Sequence, residues 1–323
     1  MSVVAPALRA PAVADRTDLG RLIGTGPDLL GLLHRLSTGD VQDLRAGEGK
    51  ETVLTNAKGR IVERLFVHHL GDDGVLIVAG QGGAERVLAH LARFTFAEKT
   101  GLSDVTDETF AFALFGARWE EASRALGIPE LAPFGTSALG IAGTPVHASR
   151  TNGFTSDGVL LTGPRGDAGR VFAALVEAAG SLGGGAIDAQ TLEAWRVGEG
   201  LPSANHELTE GHNPLEAGLT GAISFTKGCY VGQEVVARLN TYDKVSLSLI
   251  RLELEAGAPV PALGSAIVHE GKRIGEVTSA VLPPGRLAVV ALAYIKSREL
   301  LPNPEPEPVE FSKHAVTGEP ISF

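Results

Sequence analysis

Only one cysteine, Cys229, occurs in the 323 residues. No disulfide can close within the chain, and no zinc or iron–sulfur site can rest on its own thiolates alone. Long apolar runs are also missing. The longest, Leu287–Ile295, falls well short of the ~20 residues that a membrane-spanning helix requires, so no membrane association is expected. Positive charge is scarce: 28 Lys and Arg stand against 38 Asp and Glu, a net charge of −10. An acidic chain is poorly built for contact along a phosphate backbone, so no direct nucleic-acid partner is expected. The first sixteen residues carry Pro6, Pro11 and Asp15 and lack a continuous apolar stretch. They do not read as a signal peptide, and a reduced cytoplasm is the expected compartment.

Several signature motifs fail as well. Gly24-Thr25-Gly26 lacks the third glycine of a dinucleotide fingerprint, and Gly49-Lys50 runs into Glu51 rather than a hydroxyl residue. The nucleophile elbow Gly-x-Ser-x-Gly is absent. His68 and His69 are neighbours on an expected strand and point to opposite faces. His206, Glu207, Glu210 and His212 fall in an irregular segment that reads as a solvated loop. No metal site is expected.

What is present reads as an α+β protein. The 44% apolar and 20% charged content is that of a globular chain. Residues 1–12 read as a flexible tail. Residues 13–240 mix helices and strands, and residues 241–323 form a separate small β-barrel. Asp28 opens a helix with Leu29, Leu32, Leu33 and Leu36 on one face, closed near Gly39. Thr52–Leu54, Ile61–Val67 and Val75–Ala79 read as strands and Ala84–Phe94 as a helix. Phe110–Phe115 is a strand and Trp119–Leu126 a short helix. Val146–Ser149 and Val159–Leu161 are strands, followed by a helix at Asp167–Ala179. Gly183–Gly185 reads as a flexible connection, and Asp188 caps a helix running to about Val197. Strands then recur at Val245–Glu255, Ser265–His269, Ile274–Val281 and Leu287–Tyr294. Alternating prolines from Pro302 to Pro308 suit an extended connector.

The densest chemistry lies in Lys227-Gly228-Cys229-Tyr230-Val231-Gly232-Gln233-Glu234. The thiol sits in a Gly-bounded loop, two residues after an ammonium and just before a helix start. There the thiolate gains from charge and helix dipole. Two readings stand on the residues alone: a reactive or ligating thiol, and a buried inert one.

This octapeptide resembles the K-G-C-[YF]-x-G-Q-E signature of the YgfZ family. These are folate-binding proteins related to the glycine-cleavage T-protein, an aminomethyltransferase. Other stretches are similar to T-protein motifs. They are Ser149-Arg150-Thr151 with Gly153-Phe154-Thr155 and Asp157-Gly158, Asn213–Leu219, and Gly271–Ser279. The resemblance implies two intertwined α+β lobes and a C-terminal β-barrel in a three-domain ring around a central folate channel. The implied cofactor is tetrahydrofolate or a derivative. The implied partners are iron–sulfur client enzymes, including radical enzymes that modify tRNA, or their assembly proteins. Cys229 and Lys227 would carry the chemistry, and Tyr230, Gln233 and Glu234 would shape the loop.

Two departures from the T-protein pattern matter. Asn56-Ala57-Lys58-Gly59 keeps the turn before the catalytic strand, but the expected Asp pair reads Glu63-Arg64. A guanidinium at the catalytic position opposes the cationic iminium character of aminomethyl transfer, so that activity is not expected. A folate-dependent one-carbon transferase with altered catalytic groups is the alternative. The pterin-recognising Glu position is Gly198, with Glu199 one residue late. Glu199, Arg150 and Arg64 join Tyr230, Gln233 and Glu234 as expected cofactor contacts.

Overall fold

The computed structural model describes residues 9–151, 157–242, 244–269, 271–297 and the strand at 316–320. The chain opens with β1 (Pro11–Asp15), β2 (Leu19–Thr25), α1 (Leu29–Leu36), β3 (Gly49–Thr55), β4 (Ile61–His69), β5 (Val75–Gln81) and α2 (Gly83–Ala92). There follow β6 (Gly101–Asp104), β7 (Thr109–Gly116), α3 (Trp119–Ala125), β8 (Thr136–Ile141), β9 (Thr144–Thr151), β10 (Gly158–Pro164) and α4 (Ala168–Gly180). Then come β11 (Gly185–Ala186), α5 (Ala189–Gly198), α6 (Gln233–Thr241), β12 (Leu247–Leu254), β13 (Ala266–His269), β14 (Lys272–Val281), β15 (Val290–Lys296) and β16 (Val316–Pro320).

These strands build three sheets. The first has the order β3-β4-β5-β2-β6, the second β11-β1-β7-β10-β9-β8 and the third β13-β14-β15-β12-β16. The first two are interleaved in sequence. The chain lays β1 into the second sheet, leaves to build the whole first sheet, and returns through β7. Pro11 and Ala12, placed in the tail by the sequence reading, belong to β1 and pair with Gly116 and Phe115. Residues 1–8 and the proline-rich 302–308 stretch lie outside the described residues.

Period-two alternation decides which side chains go where. On β7, Phe110, Phe112 and Leu114 join the core under α3 and α4. Ala111, Ala113 and Phe115 face the first sheet. On β4 and β5, Leu65, Val67, Ile77 and Ala79 pack under α1 and α2, while Phe66, Leu76 and Val78 face the second sheet. The two sheets therefore meet through a shared core. Alanines at 12, 14, 111 and 113 shorten the side chains between them. The third sheet is apolar on both faces. Ile250, Leu252, Ala291 and Ala293 form its own core, and Leu249, Leu292 and Tyr294 pack on Val53, Ile61 and Leu208.

Two local expectations need correction. Gly184 and Gly185 are not a loose connection, because Gly185 and Ala186 pair in parallel with Ala12 and Val13. The backbone of residue 184 passes so close to Pro11 that a Cβ there would overlap the Pro11 carbonyl. Residues 206–212 are not simply a solvated loop, since Glu207 is 0% exposed. His212 stacks on the Tyr294 ring at 3.5 Å between centroids.

Candidate functional site

A cleft of about 730 Å³ opens where β4, β5, the β1–β2 turn and α5 converge. Its buried floor holds Leu19, Glu63, Arg64, Arg196 and Leu208. Asp18, Asp107, Arg165 and His206 stand at the exposed rim. The volume lies in the range of small-molecule and cofactor pockets.

Glu63 and Arg64 are adjacent on β4 and point to opposite faces of the sheet, yet both line the cleft. The paired register of β4 with β5 runs from Leu65↔Ala79 to His69↔Val75. At the Glu63 end the carboxylate takes the place of a ladder partner and accepts the Gly80 N–H at 3.2 Å. Its other oxygen receives Nε and Nη2 of Arg86 at 2.9 and 2.7 Å. Burial pushes the Glu63 carboxyl above its ordinary range, against the opposing pull of Arg86. Gly83 makes room, for a Cβ there would lie 2.8 Å from Glu63 Oε2.

Arg64 is 3% exposed. Its Nε donates to Glu51 Oε1 on β3 at 2.6 Å, and the guanidinium lies 5.0 Å from the centroid of the Phe66 ring. The cation at the position where the resemblance implies an acid is thus offset by a carboxylate. Two ion pairs, Arg64–Glu51 and Arg86–Glu63, flank the floor.

On α5 the Asp188 side chain caps the helix by accepting the Thr191 N–H at 2.8 Å, as its sequence position suggests. One face of α5 presents Leu192, Glu193 and Arg196 to the cleft. Glu199 follows the last turn and is exposed. Burial by its surroundings raises its carboxyl, with Arg251 opposing. Arg251 Nη1 donates to the Gly198 carbonyl at 2.7 Å. Glu199 is not among the cleft-lining residues.

Arg150 lies in a separate pocket of about 200 Å³ with Trp119, Leu131 and Val159. It donates to both oxygens of Asp157 at 2.9 and 2.5 Å and to the Leu131 carbonyl at 3.0 Å. Gly153, Phe154 and Thr155 of that motif lie outside the described residues.

The cysteine motif forms a third place. Cys229 is exposed rather than buried. Lys227 Nζ donates to the carbonyls of His34, Ser37 and Gly39 at 2.5, 2.8 and 2.7 Å. An ammonium has three protons, and these three acceptors match them. They lie at and just beyond the end of α1, where helix carbonyls lack partners and the dipole favours a cation. Burial pushes the Lys227 ammonium down to about 8, with Asp40 opposing. Tyr230 is buried and its hydroxyl is pushed up to about 12 by that burial. Val231 donates to the Arg35 carbonyl at 3.1 Å and accepts from Thr55 Oγ1 at 2.5 Å. Gly232, at φ +85°, caps α6 and passes so close to the 56–59 turn that a Cβ would lie 2.5 Å from the Asn56 oxygen. Gln233 and Glu234 form the first turn of α6. The loop is held at both ends with the thiol at its open apex.

The structure thus gathers Lys227, Cys229, Tyr230, Gln233 and Glu234 into one loop–helix unit and puts Arg64 in the cleft. Arg150 and Glu199 stand apart from both. The sequence reading missed Glu51, Arg86, Glu193 and Glu207 as site residues. Only the i, i+3 spacing of Glu193 and Arg196 was visible there. Among the described residues no group of three or more His, Cys, Asp or Glu is placed to hold a metal ion, and no helix is long and apolar enough to cross a membrane.

Comparison with known proteins places this architecture. The family model described as the GCVT N-terminal domain matches residues 7–227. The chain is 29% identical over 290 residues to a chloroplastic Arabidopsis thaliana protein whose name assigns it only to the transferases, covering 88% of this chain and 65% of that protein. It is 29% identical over 292 residues to the aminomethyltransferase of Thermus thermophilus, covering 89% and 80%. The crystal structure of the glycine cleavage system aminomethyltransferase T from Bartonella henselae superposes with a TM-score of 0.80 at 20% identity. The match covers 98% of this chain and 86% of that one. That likeness establishes the three-sheet α+β architecture.

Proposed function

Because the chain belongs to the GCVT N-terminal domain family, we propose that it holds a reduced folate in the central cleft and serves iron–sulfur enzymes as an accessory protein through Cys229. The unbroken K-G-C-Y-V-G-Q-E run supports placing it in the YgfZ branch. The cleft suits such a cofactor in size, and its floor offers paired charges and carboxylate acceptors rather than a uniformly apolar wall. Tetrahydrofolate, when bound, supplies a carrier for one-carbon units. Arg64, paired with Glu51 behind it, would line the side of the cleft floor where the T-protein resemblance implies a carboxylate alone.

One observation carries the accessory reading: the single thiol is exposed on a loop tethered away from the cleft-lining residues. A sulfur so placed meets a macromolecular visitor rather than the folate. Lys227 holds the loop to α1, and Tyr230 anchors it in the interior. One thiolate cannot retain a cluster, so the client or a small thiol supplies the remaining ligands. The cluster is cargo, and the expected setting is the cytoplasm. A Cys229→Ser variant is expected to leave folate binding intact and to fail in restoring iron–sulfur enzyme activity, tRNA-modifying radical enzymes included, in a deletion strain. Full restoration overturns the reading.

A second reading is favoured by Glu63, a carboxylate lining the same cleft floor as Arg64. In it the protein is a one-carbon transferase whose anion is Glu63 rather than the residue at position 64. The discriminating measurement is methylene-folate turnover by the purified protein with amine donors. Turnover abolished by Glu63→Gln selects this reading, and none across donors eliminates it.

A further inference from the structure

Beside the thiol loop stands an imidazole that the loop's own bonds do not use. His34 lies in the last turn of α1 and is 8% exposed. Its Nδ1 sits 3.2 Å from Asp40 Oδ1, off the direct N–H line, and has no other partner. Its Nε2 makes no hydrogen bond among the described residues. That nitrogen lies against the loop. Chain neighbours aside, a Cβ on Gly228 would meet a single heavy atom, His34 Nε2, at 4.0 Å. The space on that side of the loop is otherwise open, and the Cα of Cys229 follows that of Gly228 at about 3.8 Å.

The two nitrogens of such a ring divide the work. Nδ1, beside a carboxylate, carries the proton, and Nε2 keeps a lone pair for a visitor. Pairing with a carboxylate is how proteins orient an imidazole that ligates metal. Lys227 cannot compete for that role, because its three protons are committed to three carbonyls. Thiolate and imidazole both suit iron, and imidazole replaces thiolate on some iron–sulfur clusters. Two ligands from one chain fall short of the four that such a cluster takes. A partial set suits a cargo that must leave.

We propose that His34 Nε2 is a second ligand, beside Cys229 Sγ, for the iron–sulfur cluster in transit, and that Asp40 is the positioning residue for the ring. This rests on the accessory reading and deepens it by naming what the chain offers besides its thiol. Loading from a glutathione-bound [2Fe–2S] cluster is a ligand exchange. Two iron–glutathione bonds break, and Fe–Sγ and Fe–Nε2 bonds form. The Cys229 proton goes to one departing thiolate, and the other takes a proton from the buffer. No electron changes hands. The remaining two glutathiones stay until the client supplies its own ligands.

The test is anaerobic loading of the full chain with the glutathione-bound [2Fe–2S] cluster, followed by reduction and pulsed electron paramagnetic resonance. Chain labelled with 15N-histidine should show a 15N coupling to the cluster, a readout that needs no variant. His34→Gln should lose the coupling, load through Cys229, and release the cluster to a chelator about tenfold to a hundredfold faster. Its cluster potential should fall, since a thiolate replaces a neutral ring. Asp40→Asn should keep the coupling and release the cluster about tenfold faster. A loaded wild-type chain without histidine coupling overturns this inference and leaves the accessory reading standing. A coupling that persists in His34→Gln assigns it to another ring and overturns the inference as well. A parental release rate in Asp40→Asn overturns the positioning role. A chain that takes up no cluster, or takes it up equally as Cys229→Ser, overturns the accessory reading and this inference with it.

Discussion

Lys227 and Cys229 are two residues apart, and the structure assigns them different kinds of work. The ammonium closes the end of α1 through three carbonyls, while the thiol stands open to solvent. Lys227→Met removes the charge and all three bonds and leaves partly buried carbonyls without donors. A loss of about 1–3 kcal/mol in urea unfolding is expected. Cys229→Ser touches no packed contact and should stay within about 0.5 kcal/mol of the parent. The pair separates the stability of the loop from its chemistry. If Lys227→Met unfolds at the parental midpoint, the tether contributes nothing. The motif was legible because its glycines and its thiol are rare and close together. The partners of Lys227 were not, since His34, Ser37 and Gly39 lie nearly 200 positions away in sequence and meet it only once α1 has packed.

At the scale of elements, the buried cation on β4 is balanced by a carboxylate on its neighbour β3. Val53 pairs with Arg64 across the β3–β4 ladder, which sets Glu51 two residues along β3 on the same face. Such diagonal neighbours are within reach of long side chains. Glu51→Met removes the carboxylate paired with a buried guanidinium, and Arg64→Met removes the guanidinium paired with that carboxylate. Each single change should cost about 3–5 kcal/mol, and the double change Glu51→Met with Arg64→Met much less than their sum. Additive losses in a double-mutant cycle would show that the two groups do not act as a pair. The strand β7 was readable in advance as the apolar run Phe110–Phe115; which of its residues face α3 and α4 and which the first sheet was not, because all six are apolar. β6 and β8 were not readable, because Gly101–Asp104 is polar and exposed and Thr136–Ile141 is half exposed. Glu207 looked solvated because its partners, Arg196 and Ser279, are 11 and 72 positions distant. Burial of that kind is a property of assembly, not of local pattern.

For the whole molecule, the contact between the two interleaved sheets has an acid-sensitive point. His68 leaves β4 on the face toward the second sheet, and its Nδ1 lies 3.0 Å from the Phe134 carbonyl, just before β8. That geometry suits the neutral ring with its proton on Nδ1. Nε2 is buried without a hydrogen-bond partner, so protonation there creates a charged donor with no acceptor. Burial accordingly pushes the imidazole from 6.5 down to about 4, against a small opposing effect of the Phe134 carbonyl. The sign follows from linkage. Between about pH 6.5 and 4 the unfolded chain binds a proton at this site and the folded chain does not, so stability falls as pH falls through that window. The full difference is on the order of 3 kcal/mol. Buried His34 and His90 and half-buried His147 and His212 are shifted in the same direction and add to the slope. Urea unfolding at intervals from pH 7 to 4 should show this decline, and His68→Phe, which cannot take up the proton, should flatten it while losing the Phe134 contact at neutral pH. An unchanged slope in that variant would locate the acid sensitivity elsewhere than at the meeting of the two sheets.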